Sequence, residues 1–105
     1  MATPVEATTS LSSATSGNGT TVDFVSAKRN VATVVVVNGT VTGGIVAVQV
    51  SHDGTNWVNR DAYLPQTGVN HALEFSGGAY RYWRASILSA VTGGGTVTAT
   101  FMEAG

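Results

Sequence analysis

From Thr20 onward, hydrophobic and polar positions alternate along much of the chain with a period of two, which places successive side chains on opposite faces of an extended strand. The clearest run is Ile45 to Val50, where Ile45, Ala47 and Gln49 interleave with Val46, Val48 and Val50. Asp53-Gly54 follows, a pair that tolerates positive φ in a two-residue turn, and Asn56-Trp57-Val58 begins a return. Ile45 to Val58 therefore predicts a hairpin, with Trp57 as an anchor lying across the end of a core.

The rest of the chain repeats this texture. Thr20 to Val25 alternates weakly, and Val31 to Val37, VATVVVV, predicts an apolar strand covered on both faces or central in a sandwich. Asn38-Gly39 and Gly43-Gly44 bracket Thr40-Val41-Thr42, a short hairpin connection. Val69, His71, Leu73 and Phe75 share one face of a later strand. Between Tyr80 and Leu88, Arg81, Trp83, Ala85 and Ile87 alternate with Tyr80, Tyr82, Arg84, Ser86 and Leu88. Thr96 to Met102 closes the series with Val97, Ala99 and Phe101 on one face and threonines on the other.

No window carries apolar residues at i, i+3, i+4 and i+7, so the pattern predicts an all-β fold with little or no helix. About seven short strands separated by Gly, Asn and Asp suit a two-sheet antiparallel β-sandwich, jelly-roll-like, better than a closed barrel. Trp57 and Trp83 are both expected in its core or at the rim.

The first 19 residues, MATPVEATTSLSSATSGNG, break from this texture. They are rich in Thr, Ser and Ala and follow neither the helical nor the strand period. The division expected is an extended N-terminal arm over 1–19 and a sandwich domain over 20–105. The arm is either a free terminus or a segment that orders along a neighbouring subunit, with Thr3, Pro4, Val5 and Leu11 as its partner-binding positions. On the second reading, removing residues 2–19 leaves the sandwich folded and abolishes partner binding or oligomerisation.

Composition narrows the partners. The 105 residues include 10% charged side chains and a formal net charge of −1. No basic stripe exists to displace counterions from nucleic acid, and low self-repulsion suits a protein held in an assembly. There is no cysteine, so neither a disulfide nor a thiolate metal site can form. The N-terminus lacks the basic and apolar regions of a secretion signal, and no run approaches the ~18 apolar residues of a membrane span. The expectation is a soluble protein without a secretion signal and without membrane partners.

Candidate chemistry is sparse. His52-Asp53 is the one place where a base adjoins a carboxylate, and it reads as a turn in which Asp53 bonds the backbone ahead of Gly54. His71 reads as a partly buried strand histidine. The serines cluster in the arm, Glu6, Glu74 and Glu103 are scattered, and the glycine pairs lack the Lys-Ser/Thr of a phosphate loop. These features point away from an enzyme and imply neither metal nor cofactor. Asn18-Gly19-Thr20 and Asn38-Gly39-Thr40 match a glycosylation acceptor, but Asn-Gly is the preferred tight-turn pair and the turn reading prevails. The aromatic and cationic set Trp57, Tyr80, Tyr82 and Arg84 reads as a ligand platform able to stack on a sugar ring; alternation splits the strand from Tyr80, and the alternative is a central strand whose snorkelling arginines pair with Asp53, Asp61 or Glu74.

Val50-Ser51-His52-Asp53-Gly54-Thr55-Asn56-Trp57, followed about 25 residues later by Tyr80-Arg81-Tyr82-Trp83-Arg84-Ala85, resembles an order of motifs found in small β-sandwich virion proteins of tailed phages. It is also similar to the discoidin-like, galactose-binding jelly roll. The chain departs from the latter in being shorter, lacking cysteines and offering no sugar-binding loop that matches residue by residue. The phage resemblance implies a capsid decoration or cement protein on the outer surface of the head, with the major capsid protein and copies of itself as partners. The galactose-binding resemblance implies instead a carbohydrate-binding module of a tail or host-attachment apparatus.

Overall fold

Alternating β-branched strands with one apolar face each can bury that face only against a second sheet, and the computed structural model of the chain has this form. It describes residues 7–28, 30–76 and 79–103, with the backbone alone for 26–28. The described residues form nine strands: β1 (Thr8–Ala14), β2 (Gly17–Asn18), β3 (Val22–Lys28), β4 (Val31–Asn38), β5 (Gly43–Ser51), β6 (Val58–Tyr63), β7 (His71–Phe75), β8 (Tyr80–Thr92) and β9 (Thr96–Glu103). They make two antiparallel sheets and include no helix. The first sheet has the order β1-β9-β4-β7; the second has β2-β8-β5-β6, with β3 also paired to β8. The expected all-β sandwich is therefore observed, with nine strands in place of about seven.

Three expectations change. The Asn38–Gly44 segment does not close a hairpin, because β4 and β5 lie in different sheets. Gly43 and Gly44 belong to β5 itself, and Val41 plugs the end of the core while its amide donates to the Thr67 hydroxyl at 2.7 Å. Second, VATVVVV is covered on one face only. Val31, Thr33, Val35 and Val37 are buried, whereas Val34 is 45% exposed. β-branching along the whole run reports strand propensity on both faces and burial on just one. Third, the residues expected as an arm are built into the sandwich from Thr8. β1 pairs with β9, β2 with β8, and Leu11 is 3% exposed within the core. Met1–Glu6, with Thr3, Pro4 and Val5, lie outside the described residues.

The core is dominated by Trp83, Phe101 and a layer of valines: Val35, Val46, Val48 and Val97. From the second sheet, Trp83 meets two rings of the first, Phe75 at 5.5 Å and Phe101 at 6.2 Å, and its Nε1 donates to the Tyr80 carbonyl at 2.9 Å. One flank is closed by the turn from β1 into β2. The Ser10 hydroxyl donates to the Thr20 carbonyl at 2.8 Å and accepts from the Ala85 amide at 3.0 Å, tying the two sheets together. The opposite flank holds the sheet edges β6 and β7, spanned by the Tyr63–His71 stack at 4.9 Å and by the Arg60 guanidinium 5.4 Å from the Phe75 ring. Burial pushes the Tyr63 phenol above its ordinary range.

One core residue is mismatched to its surroundings. Thr33 is fully buried between Leu73 and Phe101 in register, and its hydroxyl has no hydrogen-bond partner. An unmade buried hydroxyl costs ~1–3 kcal/mol, and valine matches threonine in shape. Thr33→Val is expected to stabilise the fold by about 1 kcal/mol, a rise of roughly 4–8 °C in a thermal melt. A lowered midpoint would show that the hydroxyl is satisfied.

Candidate binding surfaces

The loop between β5 and β6 is organised by one carboxylate. Asp53 Oδ1 accepts from the Ser51 hydroxyl at 2.9 Å and from the Thr55 and Asn56 amides at 2.8 Å each, while Oδ2 accepts from Asn56 Nδ2 at 2.8 Å. Ser51 Oγ in turn accepts from the amides of Asp53 and Gly54. Gly54 has φ +75°, the left-handed region a side chain disfavours. The expected two-residue hairpin turn is thus a longer loop, with β5 ending at Ser51 and β6 starting at Val58. The reading of Asp53 as a backbone-bonding turn residue is correct.

Hydrogen bonds from Asn56, then Thr55, then Ser51 hold the Asp53 carboxyl far below the usual carboxylate range. A group depressed in the folded state contributes stability that is fully present above its unfolded pKa, near ~3.9, and fades as pH falls below that value. Thermal melts from pH 7 down to pH 2 should show Asp53→Asn well below wild type at neutral pH and converging on it in acid. Parallel curves would mean that the carboxylate has no such role.

This loop delivers Trp57 to the outer face of the second sheet, where it is half-buried instead of anchored in the core. The Arg84 guanidinium lies 4.2 Å from its ring centre. Arg84 Nε donates to Gln49 Oε1 at 2.7 Å, and Gln49 Nε2 donates to Asn59 Oδ1 at 2.9 Å, a chain of polar groups across β8, β5 and β6. Partial burial pulls the Arg84 pKa down. Tyr82 lies on the same face, with Arg81 at 4.9 Å from its ring.

Tyr80 does not join them. It stacks on His52 at 5.4 Å and meets Trp83 edge-on at 5.9 Å, packed against the core. The four-residue platform expected from sequence is therefore a trio of Trp57, Tyr82 and Arg84, extended by Gln49 and Asn59. No known family, curated protein or solved structure matches the chain. The surfaces are accordingly read from their own chemistry.

The expected ion pairs are replaced by others. Arg81 binds Asp23 through Nε at 2.7 Å and Nη2 at 2.9 Å, and that contact, with the Val25 amide, lowers the Asp23 pKa. Asp53 is occupied within its own loop, and among the described residues neither Asp61 nor Glu74 receives an arginine. Asp23 and Arg81 are 58 residues apart, a separation at which no local pattern can announce the pair. Of the histidines, His52 Nε2 lies 3.1 Å from the Ala79 carbonyl, and His71 is exposed on Tyr63 where partial burial was expected. Among the described residues no three His, Asp or Glu side chains converge.

A second surface gave no signal in the sequence. The outer face of the first sheet carries Ala32, Val34 and Val36 from β4, Thr98, Thr100 and Met102 from β9, and Ala72 and Glu74 from β7. Thr9, Thr100, Val34 and Ala72 run in register across all four strands. Glu74, on the edge strand β7, is the one charged residue among these positions.

Proposed function

We propose that the chain is a non-enzymatic structural protein of a tailed-phage virion, a decoration or cement protein on the outer surface of the head. Its partners in this reading are the major capsid protein and further copies of itself. The observation that carries it is the nearly uncharged outer face of the first sheet. The resemblance of SHDGTNW and YRYWRA to phage sandwich proteins adds to this, as does the sparse acid, base and nucleophile chemistry.

The mechanism is mechanical: a copy bound across a junction between capsid subunits favours the assembled state by mass action. Leu11 belongs to the core, so it is withdrawn from the partner-binding set, and docking falls to the sheet faces and loops. Antibody against the chain, applied to particles of the phage that encodes it and imaged by electron microscopy, should label the head. Particles that carry no label, or label only on the tail, overturn the reading.

The platform of Trp57, Tyr82 and Arg84 favours a second reading, a carbohydrate-binding module, because guanidinium and amide groups beside an indole suit sugar hydroxyls. Trp83 is buried, so a saturable fluorescence change on glycan titration would report Trp57. A flat response across a glycan panel removes this reading.

A further inference from the structure

We propose that two copies of the chain pack face to face through the outer surface of the first sheet, with Val34 and Thr100 at the centre of a two-fold contact. This deepens the oligomer part of the function proposed above and needs nothing of its capsid part.

The sheet edges are poorly suited to self-association. β1 is interrupted by register shifts on either side of Leu11, and Ser13 within it has φ +45°. β6 is bulged against β5 and carries Arg60 and Asp61; β7 carries His71 and Glu74. Bulges and charges of this kind disfavour strand addition at an edge.

The two outer faces differ in what they tolerate. A two-fold contact sets each residue near its own copy, so like charges on the shared face oppose one another. The second sheet presents Arg84, held by neutral Gln49 and by an indole, with no carboxylate among the described residues bonded to it. The first sheet presents alanine, valine, threonine and methionine, with Val34 at 45% and Met102 at 40% exposure. Its single acid among the described residues, Glu74, sits on the edge strand and falls at the rim of a contact centred on β4 and β9.

Size also permits the contact. β1, β9, β4 and β7 have seven, eight, eight and five residues. At ~3.3 Å per residue and ~4.8 Å per strand, the face offers ~440 Å² per copy. Two copies then bury ~900 Å², below the ~1,200 Å² of stable specific interfaces, which implies a weak dimer that dissociates on dilution.

Sedimentation velocity of the full chain from roughly 1 µM to 1 mM, the range over which such interfaces come apart, is the test. The mass is expected to rise from the 10.7 kDa of one copy toward twice that value. Val34→Lys and, independently, Thr100→Lys should hold it at the monomer with an unchanged thermal melt, while Leu88→Lys on the other sheet leaves dimerisation intact. A monomer at every concentration overturns the proposal. So does a dimer that survives both lysines, which would place the contact elsewhere. Head labelling is a separate readout, so the dimer and the virion assignment can fail independently.

Discussion

Trp83→Ala is expected to destabilise the fold by about 3–5 kcal/mol, most or all of the stability of a domain near the low end of ~5–15 kcal/mol. Trp83 is 1% exposed, and its indole sits among Phe75, Phe101 and Tyr80, drawn from both sheets. Its removal opens a cavity that neither sheet can collapse into without breaking ladder pairing. It also strands the Tyr80 carbonyl that accepts from Nε1. Trp57→Ala should cost only about 1 kcal/mol, the scale of a cation–ring contact on a half-exposed indole. Chemical denaturation of the two variants should separate them clearly. Equal losses would mean that Trp57 also supports the core.

That contrast shows where sequence reasoning reached and where it stopped. The alternation of β5, β8 and β9 was legible because each sends large apolar residues to one side, and it was enough to predict two packed sheets. Distinguishing the tryptophans was not, since both follow good turn chemistry and only the loop built on Asp53 carries Trp57 outward. The platform was legible in part: Trp57 and Arg84 meet and Tyr82 shares their face, while Tyr80, two places beyond the last regular pair of β8 at Tyr82, turns inward. Gln49 and Asn59 were missed because each is an ordinary polar residue until register sets them beside Arg84. The flat face of the first sheet was hidden by the same uniformity that made Val31 to Val37 read as buried on both sides.

The N-terminal segment was the largest misreading, and it leads to the opposite prediction from the one its composition suggests. Removing residues 2–19 is expected to abolish cooperative unfolding. The deletion takes away Leu11, worth ~2–5 kcal/mol as a buried side chain, and uncovers the free edges of both β9 and β8. It also removes the partners of the Ala85 amide and carbonyl, which lie on Ser10 and the Gly19 amide, and of the Val91 amide on the Thr15 carbonyl at 2.8 Å. Buried backbone groups left without partners add ~1–3 kcal/mol each, so the total reaches the whole stability of a small domain. Composition concealed this because the segment works through backbone and serine hydroxyl bonds, with one apolar residue placed between two register shifts, and such a strand carries almost no period. Gly19→Ala probes the same closure by a single atom, since a Cβ there would lie 2.6 Å from the Ala85 carbonyl oxygen and 2.7 Å from that of Ser10. Both variants are read by near-UV circular dichroism and a thermal melt. A truncated chain that melts like the wild type would return residues 8–19 to the role of a detachable arm, and with it Leu11 to the surface that meets a partner.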